Sequence, residues 1–263
     1  MDLGLTGKTA LVVAASKGMG KACALGLAAE GARVVMCARG QATLDDAADE
    51  VKRRTGAEVL AVSADASRAE DITRVVTRAG EVFGGVDILV ANVGGPPPGP
   101  FEQATDELWK AAFEQVHLSS VRFIREVLPH MRRARWGRIL AIQSSSVKQP
   151  VEGLILSNGI RPAIAGLFKT LAGELAPDNI TVNLVLPGRI MTDRFVQHQA
   201  DRARRAGKTL DEQLGLASVD IPAARIGTPE EFANMVVFLA SERASYVTGV
   251  AIQVDGGLIK SIV

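Results

Sequence analysis

The chain has 263 residues and a formal net charge of +1, and 47% of its residues are hydrophobic. This length fits one globular domain with a buried core, and the composition excludes a disordered chain. The balanced charge argues against nucleic acid or an anionic membrane surface as a partner, and no apolar run approaches the roughly 20 residues that span a bilayer.

Cysteine and histidine usage indicates the compartment and the metal content. Cys23 and Cys37 are the only cysteines, which is too few for a disulfide framework. The first residues lack the pattern of a secretory signal, so we expect a reduced, cytoplasmic protein. The three histidines do not have the spacing of metal ligands, and we expect no metal.

Seven short apolar runs, separated by helical stretches, follow one another along the chain. They are continuous rather than alternating, which is typical of strands buried on both faces of a parallel sheet. We therefore predict an α/β, single-domain Rossmann fold over residues 1–263, with a doubly wound seven-stranded parallel sheet and helices on both faces. The runs are residues 9–15, 33–38, 59–64, 87–92, 138–143, 180–186 and 249–254.

Three helix starts are predicted from local signals. Ser67 and Glu70 have the spacing of a capping box, in which each side chain bonds the other residue's backbone amide. The segment 228–231, "TPEE", adds a proline at the first helical position and acidic residues in the first turn. Pro162 precedes a strongly helical run, and a proline is tolerated in a first turn, so we expect that helix to start near Ile160.

The first predicted strand runs into a turn that contains Gly18 and Gly20, and a helical stretch follows. Glycine in such a turn lets backbone amides approach a pyrophosphate, and the helix N-terminus favours its negative charge. The alternative is a tight turn without a ligand. Because a strand precedes the turn and a helix follows it, we predict a dinucleotide site.

The identity of the dinucleotide is indicated by the end of the second strand. An acidic residue there holds a ribose 2′-hydroxyl, whereas an arginine accommodates a 2′-phosphate. This chain has Arg39 at that place and Lys17 in the glycine turn. Two cations without a carboxylate predict NADP(H) rather than the alternative NAD(H).

A long charged segment, residues 189–224, follows the sixth strand. Ligands of doubly wound sheets bind outside the carboxyl ends of the strands, so an insertion there is predicted to be a substrate lid. The alternative is a solvated helical excursion.

Several segments match one family in order. "VAASKGMG" (13–20) is similar to T-G-x-x-x-G-x-G with Ala14 in place of the first glycine, and "ANVGG" (91–95) is similar to N-N-A-G. "LPGRIMT" (186–192) is similar to P-G-x-x-x-T, and 246–257 resembles the family's last strand. Over nearly its whole length the chain resembles a short-chain dehydrogenase/reductase, in particular the branch of 3-oxoacyl-acyl-carrier-protein reductases.

The resemblance implies where the cofactor binds, with an aspartate on the adenine and a threonine at the nicotinamide end. It also implies a small carbonyl or alcohol substrate and a homo-oligomer, a tetramer or a dimer. The implied cofactor residues are Ala14, Ser16, Lys17, Gly18, Met19, Gly20, Arg39, Asp65, Ala66, Asn92, Gly94, Pro187, Gly188, Ile190 and Thr192.

The catalytic positions depart from the family pattern, which uses asparagine, serine, tyrosine and lysine. Ser144 keeps the serine, but His117, Ser157 and Arg161 stand at the positions of the asparagine, tyrosine and lysine. Tyr246 is the only tyrosine, and it belongs to the C-terminal motif. A serine hydroxyl is a much weaker acid than a phenol, whose pKa is about 10, so Ser157 is a poor proton donor.

Two residues are candidates to compensate for this loss. His117 has a side chain suited to acid–base work near neutrality, directly or through water; alternatively it is a packed helix histidine. Arg161 is a candidate for binding a substrate carboxylate or enolate oxygen; alternatively it forms an ion pair or contacts a ribose.

The leading hypothesis is an NADP(H)-dependent reductase of a carbonyl, 3-oxoacyl-like or a small ketone, or the reverse alcohol dehydrogenase, with non-standard proton delivery. The alternative is a non-redox protein on the same scaffold, such as a cofactor sensor, a pseudoenzyme or an enzyme of another reaction class.

Overall fold

The seven predicted strands form one parallel sheet in the order β3-β2-β1-β4-β5-β6-β7. This computed structural model describes residues 1–262, so Val263 of the predicted domain lies outside the described part. The strand order reverses between β1 and β4, which places a crevice at the carboxyl ends of those strands. The strands are β1 (Thr9–Val13), β2 (Arg33–Ala38), β3 (Val59–Ser63), β4 (Ile88–Ala91), β5 (Gly137–Ile142), β6 (Ile180–Pro187) and β7 (Ala251–Val254).

Helices cover both faces of the sheet, as predicted. One core contains buried residues of α1, α2 and α9, and the other contains buried residues of α3, α5 and α6. The helices are α1 (Gly18–Ala29), α2 (Gln41–Thr55), α3 (Ala69–Phe83), α4 (Asp106–Phe113), α5 (Ser119–Ala134), α6 (Ile155–Leu175), α7 (Asp193–Ala206), α8 (Leu210–Leu216) and α9 (Pro229–Ala240). Within residues 1–262, no helix is both long and apolar enough to cross a membrane.

The predicted helix start at 228–231 is confirmed, and the predicted capping box at Ser67 and Glu70 is wrong. At α9 the Thr228 hydroxyl accepts from the Glu231 amide, and the Glu231 carboxylate accepts from the Thr228 amide. At α3 the N-cap is Arg68, without a side-chain bond. Ser67 instead donates both its amide and its hydroxyl to the Asp65 carboxylate, which draws its oxygen away from the helix.

The predicted start of α6 near Ile160 is also wrong, because the helix begins at Ile155. The Asn158 side chain exchanges two hydrogen bonds with the backbone of Val151, which fixes the loop against the first helical turn. Pro162 therefore lies inside the helix, on its exposed side, where solvent can bind the carbonyl that lacks its usual partner.

The segment 189–224 consists of α7, α8 and their connections. Arg189 joins the two ends of this segment, because it forms an ion pair with Asp220 and donates a hydrogen bond to the carbonyl of Ala217. The two helices pack against each other, and a second capping box at Thr209 and Glu212 starts α8. The first turn of α7 lies nearest the crevice, since Arg194 contacts the loop after β4.

Candidate active site

The turn after β1 has the geometry of a phosphate-binding loop. Ala14 adopts a left-handed conformation with φ 51°, as does Gly18 with φ 54°. A Cβ on Gly20 would lie 2.4 Å from the carbonyl oxygen of Ala14, so only glycine allows the helix to approach the strand this closely. Lys17 is the N-cap of α1, and this end has neither a side-chain cap nor an acidic residue in its first turn. The amide groups there are available to an anion.

The carboxyl ends of β4 and β6 meet this turn. The Asn92 side chain lies beside Gly20 and donates to the Ala14 carbonyl at 3.5 Å. A Cβ on Gly18 would lie 3.1 Å from the methyl carbon of Thr192. The structure therefore brings together five of the residues predicted to bind the cofactor.

Not every predicted cofactor residue presents its side chain to the crevice. Pro187 is buried as the last residue of β6. Gly188 lets the backbone after β6 approach Asp255 closely, since a Cβ on Gly188 would lie 2.6 Å from the Cβ of Asp255. Ile190 is buried in the core, and Met19 packs against the same core. Any contact of Ile190 with a cofactor would be through its backbone.

A cavity of about 600 Å³ opens beside the glycine turn. Arg39, at the end of β2, is exposed at its rim. Asp65 faces the same cavity, and hydrogen bonds from Ser67, with the nearby charge of Arg39 as a smaller contribution, lower the pKa of its carboxyl. The other predicted residues that line it are Ala14, Ser16, Ala66 and Gly94.

A second cavity, of about 520 Å³, is lined by Ser16, Lys17, Gly18 and Thr192. Ser16 lines both cavities, so the space continues around the glycine turn. Neither Lys17 nor Arg39 forms an ion pair within the described part of the chain. Both cations are therefore free to bind phosphate groups, and the residues present fit NADP(H).

Three serines lie at the end of β5 and the start of α6. The Ser144 hydroxyl oxygen accepts from the amide of Ser146 at 3.2 Å, which leaves its own O–H free to donate. Ser157 is buried, and its hydroxyl lies 3.0 Å from that of Ser146. Ser157 is thus hydrogen-bonded to Ser146, and the described structure contains no bond between Ser157 and Ser144.

Arg161 is only 5% exposed, and within residues 1–262 its side chain forms a single hydrogen bond, from its Nη1 to the Oε1 of Gln143 at 2.9 Å. Its Nε is buried without a partner. Burial, together with the nearby charge of Arg194, lowers the pKa of Arg161 to about 10. The guanidinium therefore stays protonated near neutral pH, and Gln143, the residue directly before Ser144, holds this buried positive charge.

His117 lies in a π-helical turn, Glu114–Leu118, between α4 and α5. Its ring stacks on Phe113 with centroids 4.8 Å apart, and its Nδ1 is buried without a partner. Burial lowers the pKa of His117, which favours the neutral ring near pH 7. No hydrogen bond joins it to Ser144, Ser157 or Arg161 in residues 1–262.

Sequence reasoning missed three residues of this site. Gln143 and Ser146 flank Ser144 and bind Arg161 and Ser157. Their position at the end of a predicted strand was the only available signal. Arg194 lies two residues beyond Thr192 and reaches the loop after β4, which no local pattern indicates.

The fold and the site together define a class of protein: a Rossmann-fold oxidoreductase that binds a dinucleotide at the carboxyl edge of its sheet. Comparison with known proteins gives the family. Residues 13–259 match the family model described as enoyl-(acyl carrier protein) reductase.

The similar proteins are reductases. The uncharacterized oxidoreductase YvrD of Bacillus subtilis is 35% identical over all of both chains. The 3-oxoacyl-acyl-carrier-protein reductase FabG of Vibrio cholerae is 34% identical over 97% of this chain and 99% of that protein. The crystal structure of L-sorbose reductase from Gluconobacter frateurii, complexed with NADPH and L-sorbose, has a TM-score of 0.97 and 36% identity over all of both chains.

This chain belongs to the short-chain dehydrogenase/reductase family of oxidoreductases. The family and the fold predicted from the sequence are thereby confirmed.

Proposed function

We propose that this protein is an NADP(H)-dependent oxidoreductase that reduces a carbonyl group, or oxidises the corresponding alcohol. The observation that carries the proposal is the contact between the glycine turn and Thr192. It joins a phosphate-binding helix end to the segment that leads into the candidate substrate lid.

The cofactor is NADP(H), which supplies or accepts a hydride when bound. The amides at the start of α1 would hold its pyrophosphate, and Asp65, which lines the cavity beside the glycine turn, would contact its adenine. Arg39 and Lys17 hold the 2′-phosphate, because both are exposed cations without a carboxylate partner. The L-sorbose reductase structure of 36% identity is an NADPH complex, which supports this assignment.

Ser144 acts on the substrate oxygen. Its free O–H donates to that oxygen and stabilises the negative charge that develops there. The positive charge of Arg161, held by Gln143, adds to this stabilisation. Ser157 has a positioning role, since it holds Ser146, whose amide in turn binds the Ser144 oxygen.

The proton comes from solvent rather than from a side chain. A serine hydroxyl is too weak an acid, and an arginine does not release its proton near neutral pH. His117 lacks a partner that would fix its tautomer, and the lowered pKa leaves few protonated rings. His117 therefore takes no part in the proton transfer.

The substrate is a 3-oxoacyl-like compound or a small ketone, enclosed by the loop after β4 and the lid of residues 189–224. The relatives named for 3-oxoacyl-acyl-carrier-protein and L-sorbose reduction support this class. The contact of Arg194 with the Gly95 carbonyl supports the lid, because it joins α7 to the loop across the crevice.

The protein is a cytoplasmic homo-oligomer, a tetramer or a dimer, in this proposal. Both cysteines are free and buried, which supports a reducing compartment. Large apolar side chains are exposed, among them Phe101, Phe113 and Tyr246, which supports assembly with further copies.

The test has two stages. Fluorescence titration with NADPH and NADH measures cofactor affinity, and a panel of ketones and 3-oxoacyl thioesters then measures turnover at several pH values. We expect micromolar NADPH affinity, weaker NADH affinity, and turnover of at least one carbonyl. NADPH binding without turnover across the panel would favour a cofactor sensor, and binding of neither cofactor would end the oxidoreductase proposal.

A further inference from the structure

We propose that Arg161 and Arg194 together bind a carboxylate of the substrate, so that the protein acts on carbonyl compounds that are also acids. This inference rests on the proposed function only in taking the bound anion to be the substrate; the anion site itself consists of the two arginine side chains. Arg161 stands at the position of the family's lysine.

Arg161 presents one edge of its guanidinium without a partner. Nη1 is occupied by Gln143, while Nε is buried and unpaired. Nη2 lies 3.4 Å from the position that a Cβ on Gly95 would occupy. The Nε and Nη2 hydrogens point in the same direction, and this edge of a guanidinium binds a carboxylate through two parallel hydrogen bonds. The fixed, free edge therefore has the geometry of a carboxylate receptor.

Arg194 reaches the same place from the lid. Its Nη2 lies 3.9 Å from the Cβ position of Gly95, and its Nη1 lies 3.5 Å from that of Gly94. The two guanidinium groups, one from α6 and one from α7, are thus within 4 Å of a common point that only the missing side chain of a glycine leaves open. Two cations around this point, Arg161 buried and held by Gln143 and Arg194 exposed, form a site for one anion.

The protein supplies no counter-ion to this pair. Within residues 1–262 no carboxylate lies within 4.0 Å of either guanidinium, and the only hydrogen bond of Arg194 is to the carbonyl of Gly95 at 3.4 Å. A buried, unpaired charge is costly, and a second cation nearby adds repulsion. The lowered pKa of Arg161 reflects both effects. An anion bound between them removes the penalty.

Two sources can supply the anion: a substrate carboxylate or the diphosphate of the cofactor. The position of Arg161 favours the substrate. It is held by Gln143, the residue directly before Ser144, whereas the glycine turn that receives phosphates lies at the end of β1. Arg161 is therefore held beside the residue that precedes Ser144, to which the proposed function assigns the substrate oxygen.

Binding of small acids and their methyl esters tests the site directly. Isothermal titration calorimetry at constant ionic strength compares acetate, acetoacetate and levulinate with methyl acetate, methyl acetoacetate and methyl levulinate, with and without NADP⁺. We expect at least one acid to bind roughly tenfold or more tightly than its ester, as for hydrogen bonds to a charged group. If no acid exceeds its ester, the proposal is wrong.

Variants assign the binding to the pair. Arg194→Ala and Arg161→Gln are expected to lower the affinity for the acid roughly tenfold or more, and Arg161→Lys to restore only part of it, because an ammonium lacks the fork. Arg202→Ala removes an exposed cation from the same helix, α7, and is the matched control. An equal loss in Arg202→Ala would show a diffuse charge effect and overturn the proposal.

Gly95→Ala provides a test that leaves both charges in place. Gly95 does not have a left-handed backbone, and the added methyl group would lie at ordinary contact distance from both guanidiniums. It would fill the common point, so the acid should bind as weakly as its ester. Gly99→Ala, in the same loop, is the control. Unchanged acid binding in Gly95→Ala would contradict the proposal.

The affinity for NADPH separates the two sources of the anion. If Arg161 and Arg194 bind a substrate carboxylate, the variants keep wild-type NADPH affinity within about threefold. A tenfold loss of NADPH affinity with an unchanged ratio of acid to ester would assign the pair to the cofactor diphosphate instead. Because calorimetry needs no turnover, a failure of the oxidoreductase proposal would appear in the carbonyl panel and not in these titrations.

Discussion

The two sides of the crevice are formed by the same edge of one sheet, yet they relate to the family pattern differently. On the nucleotide side, around β1, β2 and β4, most of the motif positions keep the expected residue types. On the catalytic side, around β5 and α6, only Ser144 does. Nucleotide binding depends largely on backbone amides and glycines, whereas proton transfer depends on particular side chains.

Nucleotide binding and proton transfer are therefore separable in this fold. The replacement residues on the catalytic side are not loosely placed. Arg161 bonds Gln143, and Ser157 bonds Ser146, so two of the three replacement residues are buried and hydrogen-bonded. The cofactor site can therefore stay functional while the chemistry beside it changes, and mutations on the two sides should have separate effects.

The largest effect is expected for Ser144→Ala, which should separate turnover from cofactor binding. Loss of one hydrogen-bond donor to a developing oxyanion lowers kcat by about 100-fold or more. The affinity for NADPH should stay unchanged, since Ser144 does not line the cavities beside the glycine turn. Steady-state kinetics and fluorescence titration measure both quantities. The neighbouring Ser145→Ala is the control, and equal losses in the two variants would contradict the role of Ser144.

The complementary change on the nucleotide side is Arg39→Ala. Removing a charged donor to the 2′-phosphate should weaken NADPH binding by about 10- to 100-fold and leave NADH binding nearly unchanged. Titration of the variant with both cofactors measures this selectivity. Arg53→Ala removes an exposed cation from the nearby α2 and should change neither affinity. A parallel loss of NADH binding would show that Arg39 acts on the fold instead.

Ser157→Ala tests whether the residue at the family's tyrosine position is structural. Ser146 would lose the partner of its buried hydroxyl, which should lower the free energy of unfolding by about 1–3 kcal/mol. Turnover should fall by no more than about threefold. Urea unfolding of Ser157→Ala, Ser146→Ala and the double variant forms a double-mutant cycle, and strict additivity would mean that the two hydroxyls do not interact.

Ala14→Gly tests the replacement of the family's first glycine on the nucleotide side. Ala14 has φ 51°, a conformation that costs a residue with a Cβ about 1–2 kcal/mol, although glycine also gains entropy in the unfolded chain. The net result should be a stabilisation of roughly 0.5–1 kcal/mol in urea unfolding. Ala15→Gly, at the buried neighbouring position, should instead destabilise the protein.

The smallest effect is expected for His117→Asn. Burial lowers the pKa of His117, so in mildly acidic solution the unfolded chain binds more protons at this residue than the folded protein does. Stability is therefore complete above the ordinary histidine pKa of about 6.5 and declines as the pH falls below it. Thermal unfolding between about pH 7 and pH 5 should show a weaker pH dependence in the variant. His198→Asn controls for loss of an imidazole.

The sequence predicted the seven strands and the glycine turn because each depends on local information. A continuous apolar run is buried wherever it lies in a parallel sheet, and a glycine pair between a strand and a helix has few other uses. The prediction also agrees with the structure at β6, because this strand ends at Pro187, the first residue of the predicted P-G-x-x-x-T motif.

The remaining features depend on competition between side chains that are distant in space or equivalent in sequence. Ser67 has the residue type of a helix cap, but its amide and hydroxyl both donate to the Asp65 carboxylate instead of capping α3. The start of α6 depends on Asn158 reaching Val151 in a preceding loop. The meeting of Arg161 and Arg194 at Gly95 requires three segments to converge, which no spacing along the chain reveals.

The contact between Thr192 and Gly18 also bears on the order of events. Thr192 is the N-cap of α7, so the residue that precedes the proposed lid helix lies against the glycine turn. A nucleotide bound at this turn would also contact Thr192 and fix the start of the proposed lid. The substrate pocket would be complete only after the nucleotide had bound. Such a design favours a compulsory sequence in which the nucleotide enters first and leaves last.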